Sequence, residues 1–592
     1  MKRHITVAFG LCVGLAFASC NLDQFPQADI APENSFKTET ELNYYLNGLL
    51  PSMSSYVESG VYEIADNGVQ PSLPDYITGM RSSSVSPGNW SWTTLRKVNI
   101  YFKYHNNCTD EKVRRKYDGI AYCIRANFYY DKLKTFGGVP WYDTVLEDDQ
   151  LDLLYKGRDS RDFVAQKILD DLDNAIDMAP DAVKLNEVTK YTALALKTRF
   201  CLFEGTFRKY HGLENADFWL KECVKASSAL IASGKYQIDK GNGTATAYRD
   251  LFCQPETSDA STKEVILARS YSIGLGVKHN TNYQINNISG KQYSLDKSLI
   301  NSYLMKDGSR FTDKAGYATM TMVQECKDRD PRLAQTVRTP GFIRAGATAA
   351  SLADMQNAVK VSASGYMPIK YVQDAGHDAQ SQNDNDLIAF RYAEVLLAYA
   401  EAKAELGTLG QNDLNISINA IRDRVGMPAL SMTDANANPD PFLANQYPAV
   451  SGDNKGVILE IRRERRIELV MEGLRYDDLM RWKAGALMTR QSKGIYVPTV
   501  TGINGYSLSE DTAEHKDPVT GDMIFYLDGF SPASTNNALL VNTGIFLSEG
   551  TSGNKIISSH GTKFWDEERD YLAPIPKEET IINPNLEQNP KW

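Results

Sequence analysis

A stretch rich in arginine and glutamate, Ile458 to Trp482, places the strongest constraint on the fold of this chain. Apolar residues recur within it at helical spacing, which predicts one helix with a single apolar stripe. These residues are Ile467, Val470, Met471 and Leu474. A helix that carries so many charges needs partners for them, so the stretch also predicts a neighbouring element that receives it.

Four glutamates in this stretch lie four residues apart and would repel one another along one helix face. Arginines at three-residue offsets predict the pairs Glu460–Arg463, Arg465–Glu468 and Glu472–Arg475. Exposed helical pairs contribute only ~0.2–0.5 kcal/mol each, and the alternative is a solvated charged face. The interleaved apolar residues instead favour a buried ion-pair network. The best candidate partner is the segment Phe390 to Leu406, whose alanines permit close approach.

The amino terminus has the pattern of a lipoprotein signal peptide. Lys2 and Arg3 precede the apolar run Ile5 to Ala18, which is too short for a comfortable membrane span. Small residues before Cys20 predict cleavage after residue 19 and a lipid on Cys20, with palmitate among its acyl chains. The alternative is an ordinary secretory signal with an incidental cysteine. No other segment has the length and apolarity of a span, so the sequence predicts a body that is anchored to a membrane.

Composition excludes some functions. The chain has 592 residues, a net charge of −10 and no clustered basic stripe, which argues against nucleic acid as a partner. Its 32 tyrosines and seven tryptophans suit a protein that offers stacking surfaces. The cysteines include no C-x-x-C pair. Cys123 and Cys201 lie in apolar helical contexts and are predicted to be small core residues.

No constellation predicts catalysis or a metal site. The seven histidines form no H-E-x-x-H motif, and Asp148 and Asp149 are adjacent, so they would point apart. The run Asp434 to Asn438 begins like a calcium loop, but Pro439 replaces the required glycine and Asn445 the bidentate glutamate. The sequence therefore predicts a protein that is not an enzyme and holds no cofactor.

Helical periodicity predicts a mainly α fold. Thr38 and Glu41 form a capping-box pattern, and Ser160 is a predicted helix cap. Further helices are predicted at Trp90–Phe102, Ile120–Phe136, Glu187–Leu202 and Ala216–Ser233. Successive helices with small residues in the middle are typical of tetratricopeptide-like pairs. The segments Tyr56–Gly88, Gly241–Gln292 and Lys483–Asp570 are predicted to be long loop-rich insertions. The expected architecture is one large α-helical body with these insertions.

Several ordered motifs resemble the SusD/RagB family. They are RANFYYDKLKTFGGVPWY from Arg125, FRYAEVLLAYAEAKAEL from Phe390, INAIRDRVGMP from Ile418, RRERRIELVMEGLRYDDLMRW from Arg462 and YLAPIPKEETIINPNLEQNPKW from Tyr571. The resemblance covers nearly the whole mature chain. It implies a signal peptide at 1–19, an N-terminal SusD-like helical-repeat region at 20–240 and a C-terminal RagB/SusD region at 241–592.

The resemblance also implies a function. Members of this family are outer-membrane lipoproteins that capture nutrients for a partner transporter. We therefore expect a lipid-anchored, surface-exposed protein that binds oligosaccharides or polysaccharides. It would deliver them to a SusC-like TonB-dependent barrel by acting as its lid. The sequence leaves three alternatives open: the same role with peptide cargo, a helical-repeat scaffold that binds only protein, and a secreted glycosidase.

Aromatic and polar residues in or beside two loop regions, the first from Tyr56 to Gly88 and the second from Tyr271 to Tyr293, are the candidate glycan contacts. Sugars stack their C–H faces on rings and offer hydroxyls to polar groups. In the resembling family, ligand contacts come from loops at corresponding places in the chain. The predicted contacts are Asp66, Tyr76, Arg81, Trp90, Tyr271, Asn282, Tyr283 and Tyr293. Ordinary packing is the alternative for each of them, and it is the favoured one for Trp90, which stands at a helix start.

Overall fold

Helices dominate the computed structural model of the chain. It describes residues 32–54, 57, 61–62, 65–84, 90–254, 263–286, 293–349, 362–497, 546–550, 552–557 and 560–592. The predicted signal peptide and Cys20 lie outside these residues. The longer helices are α1 (Glu39–Asn47), α2 (Thr93–Tyr104), α3 (Glu111–Phe136), α4 (Arg161–Met178), α5 (Lys190–His211), α6 (Ala216–Ala232), α7 (Tyr392–Glu405) and α8 (Lys455–Glu468). The predicted mainly α fold is confirmed.

Short elements connect the long helices. The short helices are Leu151–Leu154, Ala247–Cys253, Thr281–Asn286, Lys297–Ser302, Met322–Cys326, Pro331–Thr336, Gln411–Ile416, Ile418–Arg424, Met432–Ala437, Pro441–Gln446, Arg475–Arg481 and Lys577–Ile582. The strands are β1 (Gly68–Val69), β2 (Val265–Arg269), β3 (Ser294–Leu295), β4 (Leu387–Arg391), β5 (Tyr496–Val497), β6 (Phe546–Leu547) and β7 (Gly553–Ile556). They form antiparallel sheets in the orders β1–β3, β2–β4 and β5–β7–β6. Among the described helices, none is long and apolar enough to cross a bilayer.

The helices of the N-terminal region pack in succession, α3 on α4, α4 on α5 and α5 on α6. Arg125 of α3 donates two hydrogen bonds of 2.7 Å to Asp171 of α4 across their buried contact. The capping box of Thr38 and Glu41 is confirmed, and Ser160 Oγ accepts a hydrogen bond from the amide of Phe163 as predicted. Helix α3 begins earlier than its periodicity suggested, because Asp110 caps it through two backbone amides.

A continuous cluster of buried apolar residues joins the two halves of the chain. It extends from Phe36 through the helix pairs to Leu586, and so crosses the predicted boundary between residues 240 and 241. The division into regions at that boundary stays a prediction. Cys123 and Cys201 are fully buried thiols in this core, as their apolar contexts predicted.

Strand β4 leads directly into α7. Phe390 and Arg391 end the strand, which pairs with β2 in the register Val265↔Arg391, and the helix begins at Tyr392. Within the predicted partner segment, Phe390 to Leu406, the helix therefore begins only at the third residue. The consequence is that Arg391 is presented from a strand end into the core, where its side chain is 1% exposed.

The predicted single helix from Ile458 to Trp482 is wrong. Helix α8 ends at Glu468, Met471 has a left-handed backbone with φ of +63°, and a new short helix begins at Arg475. Residues of the expected stripe are buried all the same, since Ile467 and Met471 have no exposed surface. The apolar spacing therefore predicted the burial of these residues correctly, although the helix is interrupted between them.

The break is stabilised by side chains that replace the missing helical hydrogen bonds. Carbonyls at the end of a helix have no intrahelical partner. Arg391 Nη2 donates to the carbonyl of Glu468 at 2.8 Å, and Lys370 Nζ donates to that of Val470 at 2.8 Å. The hydroxyl of Tyr248 also donates to the Glu468 carbonyl, at 2.7 Å. These donors come from other elements, so the end of α8 is decided by tertiary contacts.

One of the three predicted local ion pairs is confirmed. Arg463 contacts Glu460 at 3.1 Å, as expected from their spacing. The pairs Arg465–Glu468 and Glu472–Arg475 are wrong. The break moves Glu472 beside Lys370 and Arg391 instead, at 2.6 and 2.7 Å.

The arginines of the two incorrectly predicted pairs, Arg465 and Arg475, also contact residues of other elements. Arg465 lies 2.8 Å from Asp478, and Arg475 lies 2.7 Å from Asp66. Because all of these groups are buried, each needs several hydrogen-bond partners, and a neighbour on the same helix supplies only one.

The predicted buried network is confirmed, and Glu468 is its centre. Its carboxylate, with no exposed surface, accepts hydrogen bonds from Arg391 Nη1 at 2.7 Å, from Arg332 Nη1 at 3.3 Å and from Arg424. The predicted partner segment contributes as expected. Glu401 of α7 accepts from Arg481 Nη2 at 2.8 Å and from the indole of Trp482 at 2.7 Å.

We predict that acid removes part of this stabilisation. Burial alone would raise the pKa of Glu401, but Arg481, Arg465 and Arg462 lower it to about 2, against 4.5 for an ordinary glutamate. A folded-state pKa below the unfolded value gives stability that is present above pH 4.5 and lost as the pH falls toward 2. The shift corresponds to ~3 kcal/mol. We expect the free energy of unfolding in urea to fall over that interval. Glu401→Gln should be less stable at neutral pH but lose less between pH 4.5 and 2; the same pH dependence in both proteins would contradict the assignment.

Candidate functional site

A polar cleft with a volume of about 420 Å³ opens beside the first loop region. Its walls come from residues 65–77, from the start of the helix Lys297–Ser302, from residues 487–493 and from His560 and Lys563. Segments that are far apart in the sequence therefore meet here. A volume of this size lies within the range of small-molecule binding sites.

Arg466 of α8 holds two walls of the cleft in place. Its Nε donates to Asn67 Oδ1 at 2.6 Å, which fixes the first loop region. On the other side, its Nη1 donates to Ser302 Oγ at 3.0 Å and its Nη2 to Ser298 Oγ at 2.9 Å. One buried guanidinium from the arginine-rich helix thus joins the loop to the helix Lys297–Ser302.

Asp66 lies at the cleft, and two arginines bind its carboxylate on the buried side. Arg475 donates to its two carboxylate oxygens at 2.7 and 2.8 Å, and Arg466 contacts it at 3.4 Å. Burial alone would raise the pKa of Asp66, but the two guanidinium groups hold it well below its usual range. The side chain is 8% exposed. Asp66 therefore helps to hold the loop in place, and its role as a ligand contact stays a prediction.

Other polar groups of the cleft are anchored through only part of their hydrogen-bonding capacity. Lys563 Nζ donates to the carbonyl of Arg490 at 2.8 Å and to Ser492 Oγ at 2.9 Å, and burial lowers the pKa of this lysine. The imidazole of His560 is 2.7 Å from the carbonyl of Gln70, and burial lowers its pKa too. These groups are therefore fixed in position at the cleft wall.

Tyr76 and Arg81 come together in an aromatic group next to the cleft. The Tyr76 ring lies edge to face with Tyr476, with centroids 5.2 Å apart, and the Arg81 guanidinium lies 5.7 Å from the Tyr76 centroid. Arg81 also lies 5.8 Å from the Trp592 ring and donates to the Tyr476 hydroxyl at 3.2 Å. Partly exposed rings beside a guanidinium offer both stacking and hydrogen bonds.

One turn links this aromatic group to the cleft. In the 3₁₀ turn Asp75–Ile77, Ile77 lines the cleft while Tyr76 joins the aromatic group. The amide of Phe564 donates to the carbonyl of Ile77 at 2.7 Å, next to Lys563 in the cleft wall. Gly79, with φ of +73°, lets the loop pass so closely that a side chain there would lie 3.3 Å from the Phe564 ring. Phe564 itself is 46% exposed.

Tyr271, Asn282 and Tyr283 form a second neighbourhood, near the start of β4. Tyr271 is buried against His279, and its amide donates to Asp386 at 2.9 Å. Asn282 is fully buried, and its side-chain amide donates to the carbonyl of Asp374 at 3.2 Å. Tyr283 is half-buried. Tyr271 and Asn282 lie in the interior because neighbouring segments cover them, and their role as ligand contacts stays a prediction.

Trp90 and Tyr293 also pack inside the protein. Trp90 is 8% exposed and lies edge to face with Trp92 and Phe136, at 5.5 and 4.9 Å. Packing was the favoured alternative for this tryptophan. Tyr293 has no exposed surface and lies 5.7 Å from the Tyr62 ring. Both residues contribute to packing in this structure, and their role as ligand contacts stays a prediction.

The sequence reasoning missed the residues that complete the first site, notably Phe564, Trp592 and Lys563. The segment Lys483–Asp570 was expected only to wrap the body. A useful signal was present within it, because a lysine and two adjacent aromatic residues, Phe564 and Trp565, follow a polar loop. Among the described residues, no group of three histidine, cysteine or acidic side chains is arranged to hold a metal ion.

Successive helix pairs, short antiparallel sheets and a loop-lined cleft define a large helical-repeat protein with a small-molecule-sized site. The profile of the SusD family matches residues 263–592, more than half of the chain. The chain belongs to the SusD family, and the resemblance in its motifs is confirmed.

Curated relatives cover most of the chain. SusD-like protein P2 from Formosa agariphila is 23% identical over an alignment of 509 residues, which covers 82% of this chain and 92% of that protein. SusD-like protein P38 from the same organism is 23% identical over 518 residues, with coverage of 81% and 91%.

Solved structures share the fold. A SusD-like protein from Bacteroides fragilis is 21% identical, with a TM-score of 0.67, over 94% of this chain and 98% of that one. A SusD-like carbohydrate-binding protein from the same species is also 21% identical, with a TM-score of 0.68, over 93% and 99%. At such identity the likeness concerns the architecture.

We predict that Asp66→Asn destabilises the protein. The substitution keeps the size of the side chain but leaves the buried guanidinium of Arg475 without its anion, a change that costs about 3–5 kcal/mol. Urea unfolding followed by circular dichroism measures it. Asp75→Asn, at an exposed position of the same loop region, is the matched control and should change stability little. Unchanged stability together with lost ligand binding would instead make Asp66 a ligand group.

Proposed function

We propose that this chain is a cell-surface outer-membrane lipoprotein that binds oligosaccharides or polysaccharides and delivers them to a SusC-like TonB-dependent barrel. The observation that carries the proposal is the cleft beside the aromatic group of Tyr76 and Arg81, with the exposed ring of Phe564 against Gly79 of the same loop, in a chain of the SusD family. The carbohydrate-binding description of one structural neighbour supports the same ligand class.

The chemistry of the site suits sugar binding. Rings such as Phe564 offer an apolar face for the C–H groups of a sugar, while amide, hydroxyl and charged groups of the cleft offer partners for its hydroxyls. Binding needs no bond to be made or broken. We propose that the protein performs no catalysis and acts as a lid, which holds the ligand against the barrel until the barrel transports it.

We predict that Phe564→Ala weakens glycan binding. Loss of an aromatic anchor in a binding site typically costs at least 1–2 kcal/mol, so we expect the dissociation constant to rise roughly tenfold or more. Isothermal titration of the full mature chain against panels of glycans and peptides measures it. Tyr76→Ala should have an effect in the same direction.

The chain offers a matched control for this test. Phe218 on α6 is 44% exposed, close to the 46% of Phe564, and its helix contributes no residue to the cleft or the aromatic group. Phe218→Ala should leave affinity unchanged. Equal effects of the two substitutions would contradict the site, and binding of peptides in place of glycans would make peptide the cargo.

We predict that Cys20→Ser abolishes anchoring. A single acyl chain binds membranes only marginally, so stable attachment depends on multiple acylation of this cysteine. The variant should lose metabolic labelling with palmitate and move from the membrane fraction to the soluble fraction. Wild-type protein from detergent-solubilised outer membranes should copurify with a large β-barrel protein. A wild-type chain without label, or without such a partner, would contradict the corresponding part of the proposal.

A further inference from the structure

The cleft carries an excess of positive charge in a chain whose net charge is −10. Its lining contains the carboxylates of Asp66 and Asp296 and the basic groups of Lys297, Arg490, Lys493 and Lys563. With the direct ion-pair partners of these residues included, six basic groups stand against three carboxylates, because Arg466 and Arg475 contact Asp66 and Glu325 contacts Lys297. Basic side chains are thus concentrated at this cleft, although the protein as a whole is acidic.

The two carboxylates of the cleft already have hydrogen-bond partners within the protein. Asp66 is bound by Arg475 and Arg466 on its buried side. Asp296 accepts hydrogen bonds from the amides of Ser298 and Lys493, at 2.8 and 2.9 Å. Among the described residues, neither acid therefore makes a direct ion pair with Lys563, Arg490 or Lys493.

Three cations remain for a ligand. Lys563 Nζ uses two of its three N–H groups on the carbonyl of Arg490 and on Ser492 Oγ, and it lies in a partly buried position. Arg490 and Lys493 are exposed, and among the described residues their side chains have neither an ion pair nor a hydrogen bond. An anion in the cleft would be attracted by all three groups.

Neutral groups of the cleft suit a hydroxylated ligand. Asn301 Oδ1 is buried at the cleft without a hydrogen-bond donor among the described residues, and an unsatisfied acceptor of this kind gains from a ligand hydroxyl. Leu73, Ile77 and Met488 supply apolar surface beside it. The cleft combines groups for an anion, for hydroxyls and for C–H faces.

We propose that the cleft binds the anionic substituent of an acidic oligosaccharide, a uronate carboxylate or a sulfate ester, through Lys563, Arg490 and Lys493. This inference rests on the proposed glycan-binding function and specifies the class of glycan. The partly buried ammonium of Lys563 lies at the cleft wall, while the two exposed cations steer the ligand to it.

Titration calorimetry with the full mature chain tests the proposal. The probes are size-matched neutral, uronate-containing and sulfated oligosaccharides, together with inorganic sulfate. We expect at least one acidic oligosaccharide to bind ten times more tightly than the neutral one, with an affinity that falls as salt rises. The stronger of the two acidic probes identifies the substituent.

Charge-removing variants locate the interaction. Arg490→Gln/Lys563→Gln should weaken binding of the acidic oligosaccharide at least tenfold and weaken any neutral binding by a clearly smaller factor. Lys97→Gln/Lys112→Gln removes the same charge from exposed positions of α2 and α3 and should have little effect. Circular dichroism confirms that each variant is folded, and the single Arg490→Gln variant, at an exposed position, gives the same test should the double variant fail to fold.

The outcomes separate this inference from the function on which it rests. Neutral glycan bound as tightly as acidic glycan, inorganic sulfate bound as tightly as the acidic oligosaccharide, or equal losses in both double variants would overturn the assignment of the cleft to acidic oligosaccharides and leave glycan binding standing. No binding of any oligosaccharide would overturn the glycan-binding function itself.

Discussion

The carboxylate of Glu468 lies at the end of α8 among the guanidinium groups of Arg332, Arg391 and Arg424, all fully buried. These arginines belong to three separate elements: a short helix, the end of β4, and the helix that carries the INAIRDR motif. A buried ion pair contributes little net stability, but loss of one partner costs several kcal/mol. Any other arrangement of these elements would leave a buried charge unpaired. The network therefore restricts the core to one arrangement.

The cleft depends on the same network. Arg466 of α8 and Arg475 beyond the helix break both reach Asp66 in the first loop region, about 400 residues earlier in the chain. Arg466 also bonds the helix Lys297–Ser302 on the opposite wall. The break after Glu468 directs Arg475 toward Asp66, which Arg466 reaches from within α8. The geometry of the candidate site is thus set by buried groups that need not touch a ligand.

Charge is distributed differently in the core and at the cleft. Within the core, the arginines around Glu468, Glu264 and Glu472 are matched by carboxylates at hydrogen-bonding distance. At the cleft wall, no carboxylate of the described residues lies within ion-pair distance of Arg490 or Lys493, which both line the cleft. Burial of an unpaired charge is costly, whereas an exposed cation is solvated until a ligand arrives. Balanced charge therefore holds the fold, and unbalanced charge lies where ligands have access.

Sequence alone determined the features that depend on near neighbours. Helix caps at Thr38 and Ser160, the succession of helices, the buried character of the arginine-rich stretch and its pairing with the segment that contains Glu401 were all predictable. Periodicity and capping act within a few residues, and the family motifs are local patterns. For the site, sequence identified the first loop region and the neighbours Tyr76 and Arg81.

Only the tertiary structure decided the rest. Arg475 pairs with Asp66 rather than with Glu472, and α8 ends where donors from distant elements reach its carbonyls. Tyr271, Asn282 and Tyr293 became interior residues, and Phe564 stayed at the surface. The burial of a side chain and the choice of its ion-pair partner depend on segments that are hundreds of residues apart. Local sequence patterns do not predict those contacts, because the contacts form only when the whole chain has packed.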